Sequence, residues 1–189
     1  MEVLDENALH YINTINNATK RMSTLVKSIM SYSKLGNGNK KLAYVDCSKV
    51  IDEVISDLDA LIKMSNTVIE VAKMPELNVY ETEFRQLFQN LITNAIKFCK
   101  RDNSPVIKIC SEKIDDRWKF SVCDNGIGIA PIHFKRVFDI FQRINPNTEY
   151  EGHGIGLANC KKIVQLHQGE IWIQSELGEG AIFNFTIPA

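Results

Sequence analysis

Residues 118–129 read WKFSVCDNGIGI, an apolar run that closes on an acid and opens into glycines. Trp118–Cys123 is rich in aromatic and β-branched residues and reads as a buried strand. Val106–Glu112 has the same character, and Asp115-Asp116 supplies a turn between them, so two consecutive antiparallel strands are predicted. Asp124 then emerges from a buried strand at the mouth of a pocket. An ionised carboxylate only accepts hydrogen bonds, which suits an exocyclic amino group such as that of adenine. Gly126 and Gly128 let the backbone approach a flat ligand, with Ile129 closing the stretch. Hairpin turns share the D-x-G-x-G pattern, so this stretch alone leaves both readings open.

Two flanking segments carry compatible chemistry. Upstream, Thr82–Phe98 is an amphipathic helix with Phe84, Leu87, Phe88, Leu91, Ile92 and Ala95 on one side. Asn90 and Asn94 are four apart and share a face, with Lys97 close to it. Asn94 offers a carbonyl oxygen to a hard cation such as Mg²⁺, and Lys97 offers positive charge to phosphates. An ordinary polar helix face has the same look. Downstream, Gly152-His153-Gly154-Ile155-Gly156-Leu157 opens a helix predicted over Ile155–Leu166 and ended by Gly169. Glycines before a helix present free N–H groups beside the positive end of its dipole, an arrangement suited to polyphosphate.

Further out, Lys41–Val45 reads as a short strand, and Asp46 can cap a helix over about 48–63. Thr67–Ala72 is a β-rich run, and a short helix starts at Pro131. Glu170–Gln174 and Ala181–Ile187 form a closing pair of strands around Leu177–Gly180. This mixture predicts an α+β sandwich of two layers, a largely antiparallel mixed sheet covered by helices on one face. Residues 5–35 read as one long helix whose stripe Ala8, Ile12, Ile15, Thr19, Met22, Val26 and Ile29 follows a seven-residue repeat. Such a stripe calls for another helix to bury it, and a helical hairpin or bundle is the favoured partner. Gly36-Asn37-Gly38-Asn39 ends the helix and links it onward.

Bulk properties narrow the functions. The 189 residues carry 22 Lys and Arg against 23 Asp and Glu, a net charge of −1, which gives no reason to expect nucleic acid or a membrane surface as partner. The five cysteines are spread out without C-x-x-C, consistent with free thiols in a reducing cytoplasm. His10, His133, His153 and His167 lack metal-ligand spacing.

In the order helix, D-N-G-I-G, loop, G-H-G-I-G-L and G-E-G, residues 40–189 resemble the catalytic domain of sensor histidine kinases, within the gyrase/chaperone/histidine-kinase/MutL (GHKL) class and its Bergerat ATP-binding fold. Gln86–Phe98 (QLFQNLITNAIKF) is similar to the family's asparagine box. Asp124–Ile129, Gly152–Leu157 and Gly178–Gly180 are similar to its three glycine boxes, and Phe134–Phe141 to its phenylalanine box. The helix over residues 1–36 resembles, more loosely, the second helix of the dimerisation and histidine-phosphotransfer hairpin.

The resemblance implies ATP and Mg²⁺ as cofactors. Asp124 would bind the adenine amino group, Asn94 the Mg²⁺, Asn90 and Lys97 the phosphates, and Phe98 would lie beside the nucleotide. Gly126, Gly128 and Ile129 would line the base site. Gly152, His153, Gly154, Ile155, Gly156 and Leu157 would close over the phosphates, within a lid spanning about 126–155 that Phe138 and Phe141 tether. It also implies a kinase transferring the γ-phosphate to a histidine on a partner hairpin, then to a response regulator receiver domain; a homodimer is left open. None of the four histidines has the acceptor's context, so autophosphorylation of this chain alone is not expected, and the chain reads as part of a longer sensor kinase. The other readings are a GHKL-type ATPase clamp, a related serine kinase and a non-catalytic nucleotide-binding scaffold. In hydrolysing members of the class the position of Asn90 holds a Glu general base, and an amide cannot take up a proton in that role. Ala181 and Ile182 stand where relatives often carry Ser or Thr near the adenine carboxylate, so lower nucleotide affinity is expected.

Overall fold

The computed structural model describes residues 6–36, 41–144 and 154–189. Helix α1 spans Glu6–Lys34, followed by β1 (Ala43–Asp46), α2 (Cys47–Asp57), α3 (Asp59–Met64), β2 (Val68–Val71) and β3 (Glu76–Val79). Then come α4 (Glu81–Lys97), β4 (Val106–Ile114), β5 (Arg117–Asp124), α5 (Gly156–Leu166), β6 (Ile171–Ser175) and β7 (Ala181–Pro188).

Five strands form one sheet in the order β2-β4-β5-β7-β6, with β2 parallel to β4 and the other pairs antiparallel. Register sets its two faces, because residues directly opposite point the same way. Ile109, Val122 and Phe183 lie in one row across β4, β5 and β7, and Phe120 with Phe185 in the next. These side chains are buried beneath α4 and α5. The opposite face is polar: Lys108 pairs with Glu70 at 3.0 Å and Lys119 with Glu112 at 2.7 Å across neighbouring strands. Ser121 Oγ donates to Asn184 Oδ1 at 2.7 Å on the same face. The expected one-sided sandwich is therefore the fold. Its centre is aromatic, with Phe120 stacked on Phe185 at 5.0 Å and 9° and set edge-on to Phe84 and Phe88 of α4.

Asp46 caps α2 as its sequence position suggests, accepting from the Ser48 N–H at 2.9 Å. The helix predicted over 48–63 is broken at Leu58, between α2 and α3. Asp57 and Asp59 flank the break, and such short polar side chains weaken a helix interior by competing for backbone hydrogen bonds. Strand β3, paired with β1 in a separate two-stranded sheet, has no counterpart in the sequence reading. The helix expected from Pro131 consists of two 3-10 turns, Pro131–His133 and Arg136–Phe138. Helix α5 ends before Gly169, and the left-handed residue at its exit is Gln168, at φ 57°.

Helix α1 has two faces. Ile12, Ile15, Met22, Val26 and Ile29 of the seven-residue stripe are exposed. A second row, Leu25, Ser28, Tyr32 and Leu35, is partly or fully buried. It leans on α5, where Lys162 Nζ donates to Tyr32 O at 2.8 Å and lies 4.4 Å from the Tyr32 ring centre.

Candidate functional site

A cavity of about 370 Å³ lies between α4, the β5 exit, the start of α5 and the inward side of α1. Its base is built by Asp124, the last residue of β5. Asp124 Oδ1 accepts from the Gly126 N–H at 2.9 Å and the Ala181 N–H at 3.2 Å. The other carboxylate oxygen has no protein partner among the described residues. Burial pushes the Asp124 pKa above the usual carboxylate range, and the two N–H bonds pull against that shift.

Backbone approach explains the first glycine stretch. A Cβ on Gly126 would sit 2.6 Å from the Phe98 carbonyl oxygen, and the next residue, Ile127, donates its N–H to that oxygen at 3.0 Å. Gly126 thus works behind the carboxylate, whereas Ile127, Gly128 and Ile129 line the cavity. Asn125 is structural: its amide accepts from the Val106 N–H at 2.9 Å and donates to Ser104 O at 3.0 Å.

The other wall is α4, from which Asn90, Asn94, Lys97 and Phe98 line the cavity. Lys97 Nζ lies 4.5 Å from the Phe98 ring centre, a cation–π contact that holds the charge near the cavity. Gly154, Ile155, Gly156 and Leu157 complete the wall at the start of α5. A Cβ on Gly156 would meet the protein only at ordinary contact distance, 3.8 Å from Asn90 Oδ1 and 3.9 Å from Asn94 Nδ2. Packing within the protein therefore does not require this glycine; the space a side chain would take belongs to the cavity. Gly156→Ala is expected to leave the melting temperature unchanged or slightly raised, since Ala is the better helix residue. It should weaken binding of a nucleotide probe about tenfold or more, read by calorimetry.

Of the sequence-derived site residues, Asn90, Asn94, Lys97, Phe98, Asp124, Gly128, Ile129, Gly154, Ile155, Gly156 and Leu157 share this one cavity. Gly152 and His153 lie outside the described residues, as do residues 145–151 of the expected lid. Phe138 is buried and packs edge-on against Phe183 at 6.5 Å. The ring of Phe141, expected to tether the lid, is 52% exposed, and the residue's N–H donates to Gly154 O at 2.9 Å. Residue 181 carries no hydroxyl, and two neighbouring contacts are made without one. The Ala181 N–H reaches Asp124 directly, and Ser175 Oγ accepts from the Ile129 N–H at 2.8 Å.

Ser28, Ser31 and Asn159 also line the cavity and escaped the sequence reading, as does Gln86, the first residue of the asparagine-box stretch, to which no role was given. The two serines enter through the docking of α1, which depends on tertiary contacts. Asn159 lies just past the glycine cluster, in a helix that otherwise reads as apolar core. His167 is buried and occupied: Nε2 accepts from the Tyr80 N–H at 2.9 Å, and Nδ1 is 2.8 Å from Ile163 O.

A one-sided α/β sandwich with a carboxylate-floored cavity and a glycine-opened helix defines a nucleotide-binding module. Residues 79–189 match the family described as histidine kinase-, DNA gyrase B-, and HSP90-like ATPase. The chain belongs to this family. It is 44% identical over 187 residues to the phytochrome-like protein Cph1 of Synechocystis sp., covering 99% of this chain and 25% of the relative. The adaptive-response sensory kinase SasA of Prochlorococcus marinus is 38% identical over 149 residues, covering 76% of this chain and 40% of that protein. The chain thus spans about a quarter of the phytochrome-like relative. Among solved structures, full-length ShkA in complex with AMPPNP superposes with a TM-score of 0.77 at 26% identity, over 99% of this chain and 40% of that one. The histidine kinase ThkA in complex with the response regulator TrrA gives 0.73 at 28% identity, over 98% and 53%. Among the described residues, no helix is long and apolar enough to cross a membrane.

Proposed function

We propose that this chain is the ATP-binding catalytic module of a sensor histidine kinase, passing the γ-phosphoryl group of ATP to a histidine on a partner helix. The observation that carries this reading is Asp124, which lines the cavity with its Oδ1 held by two backbone N–H groups and its second oxygen without a protein partner among the described residues. That oxygen accepts the adenine amino group. From there the nucleotide runs toward Asn90, Asn94, Lys97 and the N-terminus of α5, where an amide face, a cation and free N–H groups meet a polyphosphate. The donor set fits Mg²⁺: Asn94 supplies a hard oxygen, and the described residues hold no cluster of His, Cys, Asp or Glu that would trap a metal without nucleotide. When bound, the ion neutralises charge on the phosphates. The protein's own part is to orient the γ-phosphoryl group and hold Lys97 beside it.

Asn90 favours transfer over hydrolysis, because its amide cannot activate water as a base. The exposed stripe of α1 supports its role as one limb of a helical hairpin, whose other limb would carry the accepting histidine. A receiver domain is then the next phosphoryl acceptor, and the cytoplasm is the expected location.

Incubation with γ-labelled ATP and Mg²⁺, with and without a histidine-bearing hairpin added in trans, tests this reading. Acid-labile label is expected on the added hairpin, with little on this chain and little released phosphate. Steady phosphate release from the chain alone, lost in Asp124→Asn, would establish the ATPase reading instead.

A further inference from the structure

Helices α4 and α5 run antiparallel along the cavity. Gly156 faces Asn90 and Asn94, Cys160 Sγ lies 3.9 Å from Leu87 O, and His167 meets Tyr80. Asn159, three residues past Gly156 on the same helix face, is thus level with the Leu87–Asn90 turn. It is only 7% exposed. Its Oδ1 is a buried atom without a hydrogen-bond partner among the described residues, the buried Nδ2 of Asn90 has only the Cys160 thiol beside it, and both side chains line the cavity. Native proteins seldom leave such atoms unpaired, because the desolvation cost goes uncompensated.

The two atoms have opposite needs. Asn90 Nδ2 is a donor, and a phosphate oxygen satisfies it. Asn159 Oδ1 is an acceptor, and a polyphosphate at neutral pH is a wall of acceptors. With the Asn90 amide turned to phosphate, the donor for Asn159 Oδ1 is sought on the nucleotide's side of the groove. Mg²⁺ bound to a nucleotide keeps several waters, whose protons point away from the ion. Ser28, the nearer alternative in chemistry, has already given its proton to Thr24 O at 2.8 Å.

We infer that Asn159, buried beside Asn90 in the α4–α5 groove, accepts a hydrogen bond from a water on the nucleotide's Mg²⁺ and so couples metal binding to nucleotide binding. The inference rests on the functional reading above. Asn159 is a positioning residue here, acting on the ion through its water.

Calorimetric titration of the full chain with a non-hydrolysable ATP analogue, in Mg²⁺ and in EDTA, tests it. In Asn159→Leu, the ratio of affinities with and without Mg²⁺ is expected to fall about tenfold, the worth of one hydrogen bond to a charged partner. Affinity in EDTA should stay within about twofold, and the apo melting temperature should hold or rise, since an unpaired buried group has gone. Asn159→Asp, which can only accept, should keep or raise the ratio. An unchanged ratio in Asn159→Leu overturns the inference, as does an equal loss in EDTA or a ratio that falls in Asn159→Asp. Absence of any nucleotide binding by the wild-type chain would instead overturn the functional reading itself, and this inference with it.

Discussion

Asp124→Asn is expected to lower affinity for adenine nucleotides by about 100-fold or more, with little change in the stability of the free protein. The carboxylate does two jobs at once. One oxygen receives the Gly126 and Ala181 N–H groups, and the other is left for the ligand. An amide cannot do both. With its oxygen turned to the two N–H groups, its NH₂ meets the adenine amino group donor to donor. Turned the other way, the NH₂ faces two N–H groups. A lost charge-assisted hydrogen bond plus one facing pair of donors is worth about 3 kcal/mol, which sets the 100-fold figure. Stability moves little because burial already disfavours the ionised form and raises the pKa. The folded-state pKa lies above the unfolded one, so the charge costs stability at neutral pH, and that cost disappears as pH falls through the folded value. Nucleotide affinity follows the opposite course, since binding needs the ionised form and weakens as pH drops through the same range. Calorimetric titration of the two proteins at several pH values checks both statements. A variant that binds as tightly as wild type would remove Asp124 from the adenine site.

Much of this was legible in the residues because two signals coincide. Period-2 and 3.6-residue apolar patterns locate β4, β5, β7 and α4, whose buried faces are long enough to leave a trace. The glycine stretches then mark where backbone must approach backbone or ligand. Spacing on those elements singles out Asp124, Asn90, Asn94 and Lys97 but leaves a hairpin turn and an ordinary polar helix face open, and their roles come from the resemblance to histidine-kinase catalytic domains. What stayed hidden depends on tertiary contacts. Four-residue β3 is too short to show a period, and its partner β1 lies thirty residues away. The break at Leu58 turns on local competition that a helical pattern of apolar residues conceals. The row Leu25, Ser28, Tyr32 and Leu35 has the same 3-4-3 spacing as the exposed stripe beside it, but two of its members look polar or amphipathic. Only docking against Lys162 distinguishes them. Asn159 is the sharpest case, since a single polar residue in an apolar helix reads as chance until its neighbours are seen to leave it unpaired.

Phe120→Ala is expected to remove about 3–5 kcal/mol of stability, the cost of emptying a fully buried aromatic site. Since domains of this size have about 5–15 kcal/mol in total, the variant should still fold in the cold but melt roughly 10 °C lower. The site makes this substitution more than a core defect. Phe120 stacks on Phe185 and meets Phe84 and Phe88 edge-on, so it joins α4 to β5 and β7. Those elements carry Asn90 and Asn94 on one side and Asp124 and Ala181 on the other. A cavity at their junction loosens the distance between the two ends of the nucleotide site while leaving every residue of that site intact. Affinity should therefore fall modestly, and saturating nucleotide should return part of the lost melting temperature by mass action. Phe120→Leu, which refills most of the volume, should lie between the two proteins in both measurements. Denaturant titration with and without nucleotide gives both numbers. A loss below about 1 kcal/mol would mean that this aromatic cluster does not hold helix and sheet together, and the geometry of the site would need another source of rigidity.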